Sequence, residues 1–555
     1  MPDAFVAPPN FAPLFAPPEI LKCDLPSFDG ELIPSSIGWG MHLPIGSGGL
    51  GHRGDRIAAQ TGSNTRLFGG EGASSPYSAL RDRQQSARSG LSISNEKPAG
   101  KEASPPARAA RRYNRLNGIG PPEITQANPY GTVELLGINL RSSTVAEYDH
   151  LTQTIHLHCA EEPHLVDFAK AVFEPAWNSG LRVVEGTQDI LRPMIHELRH
   201  WVDMNCSVRG LRTLSAIFSL IADQTPNNPV IARLKLDVTL NHFIERFVPT
   251  DGNTHYPWQS SFTLSTPKFH EAIRHVSACF YRNSDKSYRT ALFKSPIYLG
   301  SMLETCAYYQ EHRDALPYLS RVTTPTGARQ RIEAEAVTFL QDPSRPEYHA
   351  IIHAISSAAR QSEAADGISL AAGLCTLLLN MPPNMLKDSC QRIESNIQGR
   401  RYGGGEVDAA RQMREIAWVC PEAALIHNAF HELTVRSYGS PLAYSDELIF
   451  DLVPLWRKRQ GEFFERSHRH FVETVGTIKG PDYFHDSVPA LIENNRWLME
   501  QGTLVPSILG LPKRPPVIFG DGFVLPAAPE FSGVVPNYEA VDMRRVEELL
   551  RIQEL

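Results

Sequence analysis

The chain has 555 residues, 42% of them hydrophobic, with 61 acidic against 54 basic side chains and a formal net charge of −7. That length exceeds one ordinary domain, so two globular units plus unstructured segments are expected. The 8 cysteines are scattered without a C-x-x-C pair, which excludes a disulfide scaffold and a structural zinc cluster, and the longest apolar run, Ile368 to Met381, is shorter than the roughly 20 residues that cross a bilayer.

In chain order, residues 1–115 stand apart. Residues 1–20 are rich in Pro, Phe and Ala, and residues 46–112 are dominated by Gly, Ser, Arg, Ala and Pro. Such a segment buries too little apolar surface to offset its chain entropy, so a long disordered amino-terminal segment is predicted. It carries more Arg and Lys than acid, but with few aromatics it reads as a solvated linker, and no nucleic-acid partner is expected. The opening residues hold no basic region followed by an apolar core, so no secretory signal peptide is expected. The chain is expected to be cytoplasmic, or exported by a dedicated machine as an effector or toxin.

Residues 130–325 read as an α+β unit. Thr152 to Cys159 alternates polar and apolar residues, the pattern of a half-exposed strand. Further on, Leu191, Met194, Ile195, Leu198 and Val202 recur at helical spacing. Pro193 is tolerated if this helix starts close to Leu191, with Asp189 as its cap.

On that helix lie His196 and His200, four residues apart with Glu197 between them. Positions i and i+4 stack on one helix face, so both imidazoles can reach a single metal ion, and Glu197 can take a proton from the water such an ion activates. Asp203, one turn past His200, is placed to hydrogen-bond an imidazole and hold it in register. Catalytic zinc normally takes three protein ligands. Cys206 occupies the metzincin position for the third, but no Gly turn precedes it and no further His follows, so it reads as a buried apolar residue. Glu304, followed by Ala307 one turn later, is the better candidate. Ser301-x-x-Glu304 is also a capping box, in which Glu304 would turn back to the Ser301 amide instead.

His196-Glu197-x-x-His200, followed by Asp203 and by Glu304-x-x-Ala307, resembles the gluzincin group of zincin metallopeptidases, bacterial toxin and mobile-element forms among them. The resemblance covers the motif helix and, more loosely, the segment around Glu304. It implies Zn2+ held by His196, His200 and Glu304, with Glu197 as general base for hydrolysis of internal bonds in a polypeptide substrate. It also implies a zincin-like catalytic domain followed by a helical domain that forms the far wall of the cleft. In gluzincins a Tyr or His reaching over the cleft stabilises the oxyanion; His255, Tyr256, Tyr308 and Tyr309 are at hand, with His255 and Tyr308 the expected pair.

Residues 330–478 are helical in pattern over Ile332 to Leu340, His349 to Gln361, Ile368 to Leu379, Val407 to Val419, Glu422 to Arg436 and Glu447 to Val475. His427 and His431 repeat the i, i+4 spacing without a carboxylate between them, and His468 and His470 read as a solvated helix face. Residues 480–535, rich in Pro and Gly, are expected to wrap the surface as an extended tail, ending in a helix from Tyr538 to Leu555. The fold class expected is therefore α+β and predominantly α-helical. The competing reading is a non-catalytic helical interaction or scaffold protein whose H-E-x-x-H is chance or decayed. The direction of the Glu304 carboxylate discriminates the two.

Overall fold

The computed structural model describes residues 145–533 apart from 151, 174–178, 223–243, 248–255, 266–274, 282–290, 343–344, 400–405 and 455–459. The amino-terminal segment, His255 and the helix expected over 538–555 lie outside the described residues.

The chain enters through β1 (Glu147–Asp149) and β2 (Thr154–Leu157), paired antiparallel. Far downstream, β7 (Val517–Phe519) pairs parallel to β2, and β8 (Val524–Leu525) closes a sheet of order β1-β2-β7-β8. β2 was expected to be half exposed, yet all four of its residues are buried. The reason is its interior place: β1 and β7 flank it and the motif helix packs on its face. A second, antiparallel sheet takes the order β3-β6-β5-β4 from β3 (Glu245–Arg246), β4 (Gln259–Ser265), β5 (His275–Tyr281) and β6 (Ala291–Pro296).

The rest is predominantly helical. Between the sheets run α1 (Glu162–Phe173), α2 (Ser179–Gly186), a π-helical turn at Thr187–Leu191, α3 (Arg192–Asn205) and α4 (Val208–Ala222). After the second sheet come α5 (Leu299–Leu319), α6 (Pro325–Leu340), α7 (Pro346–Ala359), α8 (Ala364–Leu379), α9 (Pro383–Gly399), α10 (Glu406–Val419), α11 (Pro421–Arg436), α12 (Asp446–Leu452), α13 (Gln460–Val475) and α14 (Asp482–Glu500). The main hydrophobic core runs from Tyr148 to Phe531, drawing on both sheets' side chains and on helices from α1 to α14, with a small separate cluster at Leu319, Ala328 and Ile332. Its centre is α5, which packs against α3, α7 and α8. The apolar run from Ile368 falls in α8 as far as Leu379, and this helix is buried on nearly every side. Among the described residues no single helix is long and apolar enough to cross a membrane.

Two expectations change. The tail from 480 is not extended throughout: α14 fills Asp482–Glu500 and buries Phe484, Leu491 and Leu498 at helical spacing despite Pro489 in its interior. The single helix expected over 447–475 is two, α12, which ends at Leu452, and α13, which begins at Gln460. α9 has proline at its first position, where no amide hydrogen is needed.

The α3–α4 junction is tight. A β-carbon on Gly210 would lie 2.2 Å from the Asp203 carbonyl oxygen, so only glycine lets α4 turn beneath the end of the motif helix.

Candidate metal centre

Two helices carry the site, and each is aimed by its own start. α3 grows directly out of the π-helical turn: the Arg192 amide donates to the Thr187 carbonyl, and Pro193 sits in the first turn. Asp189 does not cap it, contrary to expectation, because the residue ahead of α3 is already helical and needs no side-chain acceptor there. α5 begins after β6 with Tyr298 as N-cap, whose amide donates to Ser301 Oγ at 3.1 Å. Ser301 thus performs the capping, and Glu304, one turn further in, is released from it.

The Glu304 carboxylate turns to the imidazoles. Its Oε2 stands 3.2 Å from His196 Nε2 and 3.5 Å from His200 Nε2, and the two Nε2 atoms are 3.1 Å apart. These residues form a group close enough to hold a metal ion. The spacing fits one: four ligand atoms about 2.05 Å from a tetrahedral ion stand about 3.3 Å from one another. Two neutral imidazoles and one carboxylate are also a donor set that zinc accepts.

Glu311 was not singled out from sequence. Its Oε2 lies 3.1 Å from His196 Nδ1, while Arg192 binds its Oε1 at 3.0 Å and Glu335 at 2.8 Å. A carboxylate on Nδ1 fixes that nitrogen as a donor and turns Nε2 to the site, where it donates to Glu304 here and would offer its lone pair to an ion on losing that proton. Arg192 also donates to His312 Nε2 at 2.8 Å, and His312 Nδ1 donates to the Tyr308 carbonyl at 2.7 Å. Burial and the Arg192 charge keep His312 neutral, its pKa pushed down to about 4. A signal for Glu311 did exist: it lies seven residues after Glu304, two helical turns on the same face.

Electrostatics divide the carboxylates. Burial alone would raise Glu304, but the adjoining His200 charge and the hydrogen bonds from His196 and His200 hold its carboxyl well below the usual range. Burial pushes Glu197 the other way, above its ordinary value, against the opposing pull of His200 and His196. Among the described residues no side chain donates a hydrogen bond to Glu197, which leaves its oxygens available to water.

Asp203 does not hold an imidazole as expected. It is 2% exposed, and its Oδ2 accepts from Arg199 Nε at 2.9 Å. The reason is angular: Arg199 and Asp203 share one helix face, which meets Gln310 of α5 and Thr376 of α8. His200 Nδ1 consequently finds no hydrogen-bond partner among the described residues.

Tyr308 is only 3% exposed, stacked on Phe339 with centroids 4.6 Å apart, a packing position where reach over a cleft was expected. Tyr256 is turned to Ser356, and Tyr309 is buried in the core. Half-buried Tyr348, in the first turn of α7, has its ring centroid 6.1 Å from that of His196. No spacing in the sequence pointed to it, since α7 and α3 meet only through tertiary packing.

Comparison with family models, with curated proteins and with solved structures finds no match to the chain.

Proposed function

We propose that the protein is a zinc metallopeptidase of gluzincin-like type that hydrolyses internal peptide bonds. The observation that carries this reading is the convergence of His196 Nε2, His200 Nε2 and Glu304 Oε2 within 3.5 Å of one another, across 108 residues of chain, with half-buried Glu197 on the same helix hydrogen-bonded to no described side chain. A buried cap or an ion pair needs one carboxylate on one histidine. Three donors directed at one point, with Glu311 locking the tautomer of His196 behind them, is the arrangement of a metal site with a supporting shell.

Zinc, when bound by His196, His200 and Glu304, supplies the positive charge that acidifies water and polarises a carbonyl. Glu197 receives the proton of the attacking water on its free carboxylate oxygen. Its raised pKa lets it keep that proton and hand it to the leaving amine nitrogen as the C–N bond breaks. Arg192, itself paired with Glu335, holds Glu311, and Glu311 holds His196, so the first ligand keeps one orientation through the cycle.

The test is hydrolysis of an unstructured peptide library. Cleavage that stops on chelation and returns with added zinc is the expected outcome. A folded, zinc-replete protein that cleaves nothing in such a library would overturn the reading and favour the scaffold alternative.

A further inference from the structure

The second i, i+4 histidine pair repeats the geometry of the first. On α11, His427 Nε2 and His431 Nε2 are 3.1 Å apart, with ring centroids 4.5 Å apart and planes at 89°. The motif pair on α3 has 3.1 Å, 4.7 Å and 81°. We propose that His427 and His431 form a second metal-binding site, a two-imidazole chelate for a divalent transition ion of the Cu2+, Ni2+ and Zn2+ class, with solvent completing the coordination.

Three features carry this. The helix fixes the two Cα positions, so both nitrogens reach one ion without backbone movement. His427 is wedged edge-to-face against Phe262 of β4, centroids 5.1 Å apart, and His431 meets Phe430 at 5.5 Å, so little rotamer freedom remains to be lost on binding. His431 is exposed, which gives the ion an entry path and room for water ligands.

A neutral pair can also share one hydrogen, an Nε2–H of one ring donating to the Nε2 of the other. That bond accounts for the 3.1 Å contact, and it is the bond an ion replaces. Burial drives the pKa of His427 down to about 4 and lowers that of His431, so both rings are neutral near pH 7, the form that ligates. Among the described residues no third His, Cys, Asp or Glu joins the pair, so binding is weaker than at the three-ligand group and follows the order in which Cu2+ exceeds Ni2+ and Zn2+. No carboxylate lies between the two histidines to act as a base, so the site binds without hydrolysing.

The experiment is a Cu2+ titration of the full-length protein, with bound copper counted by plasma mass spectrometry after gel filtration and nitrogen ligation read by electron paramagnetic resonance. His427→Gln and His431→Gln should each lower the count by one equivalent and remove a two-nitrogen signal, while His196→Gln leaves that signal in place. His431 is exposed, so its variant keeps the fold. A copper count unchanged in His431→Gln, or lowered by only one of the two substitutions, would overturn the proposal. Because His196→Gln probes α3 separately, failure of the pair on α11 and failure of the peptidase reading give different results.

Discussion

Glu197→Gln is expected to cut peptide hydrolysis by between about a hundredfold and ten-thousandfold, the range a positioned general base contributes, while zinc content stays at the wild-type level. The amide keeps the size of the carboxylate and its place on α3, so His196, His200 and Glu304 remain as they are. What it loses is the basic oxygen. Because nothing among the described residues hydrogen-bonds Glu197, no structural tie breaks with it, and kcat should fall far more than KM rises. Activity within tenfold of wild type at equal zinc loading would remove Glu197 from the proton path.

Arg199→Ala should lower stability by about 3–5 kcal/mol, the cost of leaving a buried charge without its partner. Arg199 is the residue before the second motif histidine, and it is 2% exposed. Its guanidinium donates to Asp203 Oδ2 at 2.9 Å, to Gln310 Oε1 of α5 at 3.0 Å and to Thr376 Oγ1 of α8 at 2.8 Å. One side chain therefore ties the motif helix to the helix that carries Glu304 and to the most buried helix of the core. Removing it leaves Asp203, also 2% exposed, uncompensated. Urea unfolding would read the loss, and a double variant with Asp203→Ala should cost less than the two single losses added, because the orphaned carboxylate is gone. A loss below about 1 kcal/mol would mean that water or rearrangement replaces the triple contact.

The sequence made legible what depends on local spacing. His196 and His200 fall on one face because helical periodicity puts them there, and Pro193 marks the first turn of that helix through its missing amide hydrogen. Glu304 could be named as the better third ligand from its residue type and Ala307 one turn on, but a capping role fitted it too. Only the cap geometry, with Ser301 taking the Tyr298 amide, separates them.

Contacts between distant segments left no such trace. Asp203 has the right spacing to support a histidine, yet it serves Arg199, because helix rotation about its axis is set by what α5 and α8 present. Tyr348 approaches His196 through the packing of α7. β2 reads as half exposed until β7, some 360 residues later, is known to cover its open edge. The helix α14 lay hidden in a stretch whose Pro and Gly content suggested a surface strap, since Phe484, Leu491 and Leu498 find their core only in the folded chain.

The central claim is that His196, His200 and Glu304 bind one ion as a unit, and zinc content measured by plasma mass spectrometry tests it most directly. The comparison is wild type against Glu304→Ala and His196→Ala, each shown folded and each passed through gel filtration after zinc loading. Near-stoichiometric zinc in wild type, lost in both variants, is the predicted result. Zinc absent from folded, metal-replete wild type, or zinc retained undiminished in Glu304→Ala, would contradict it.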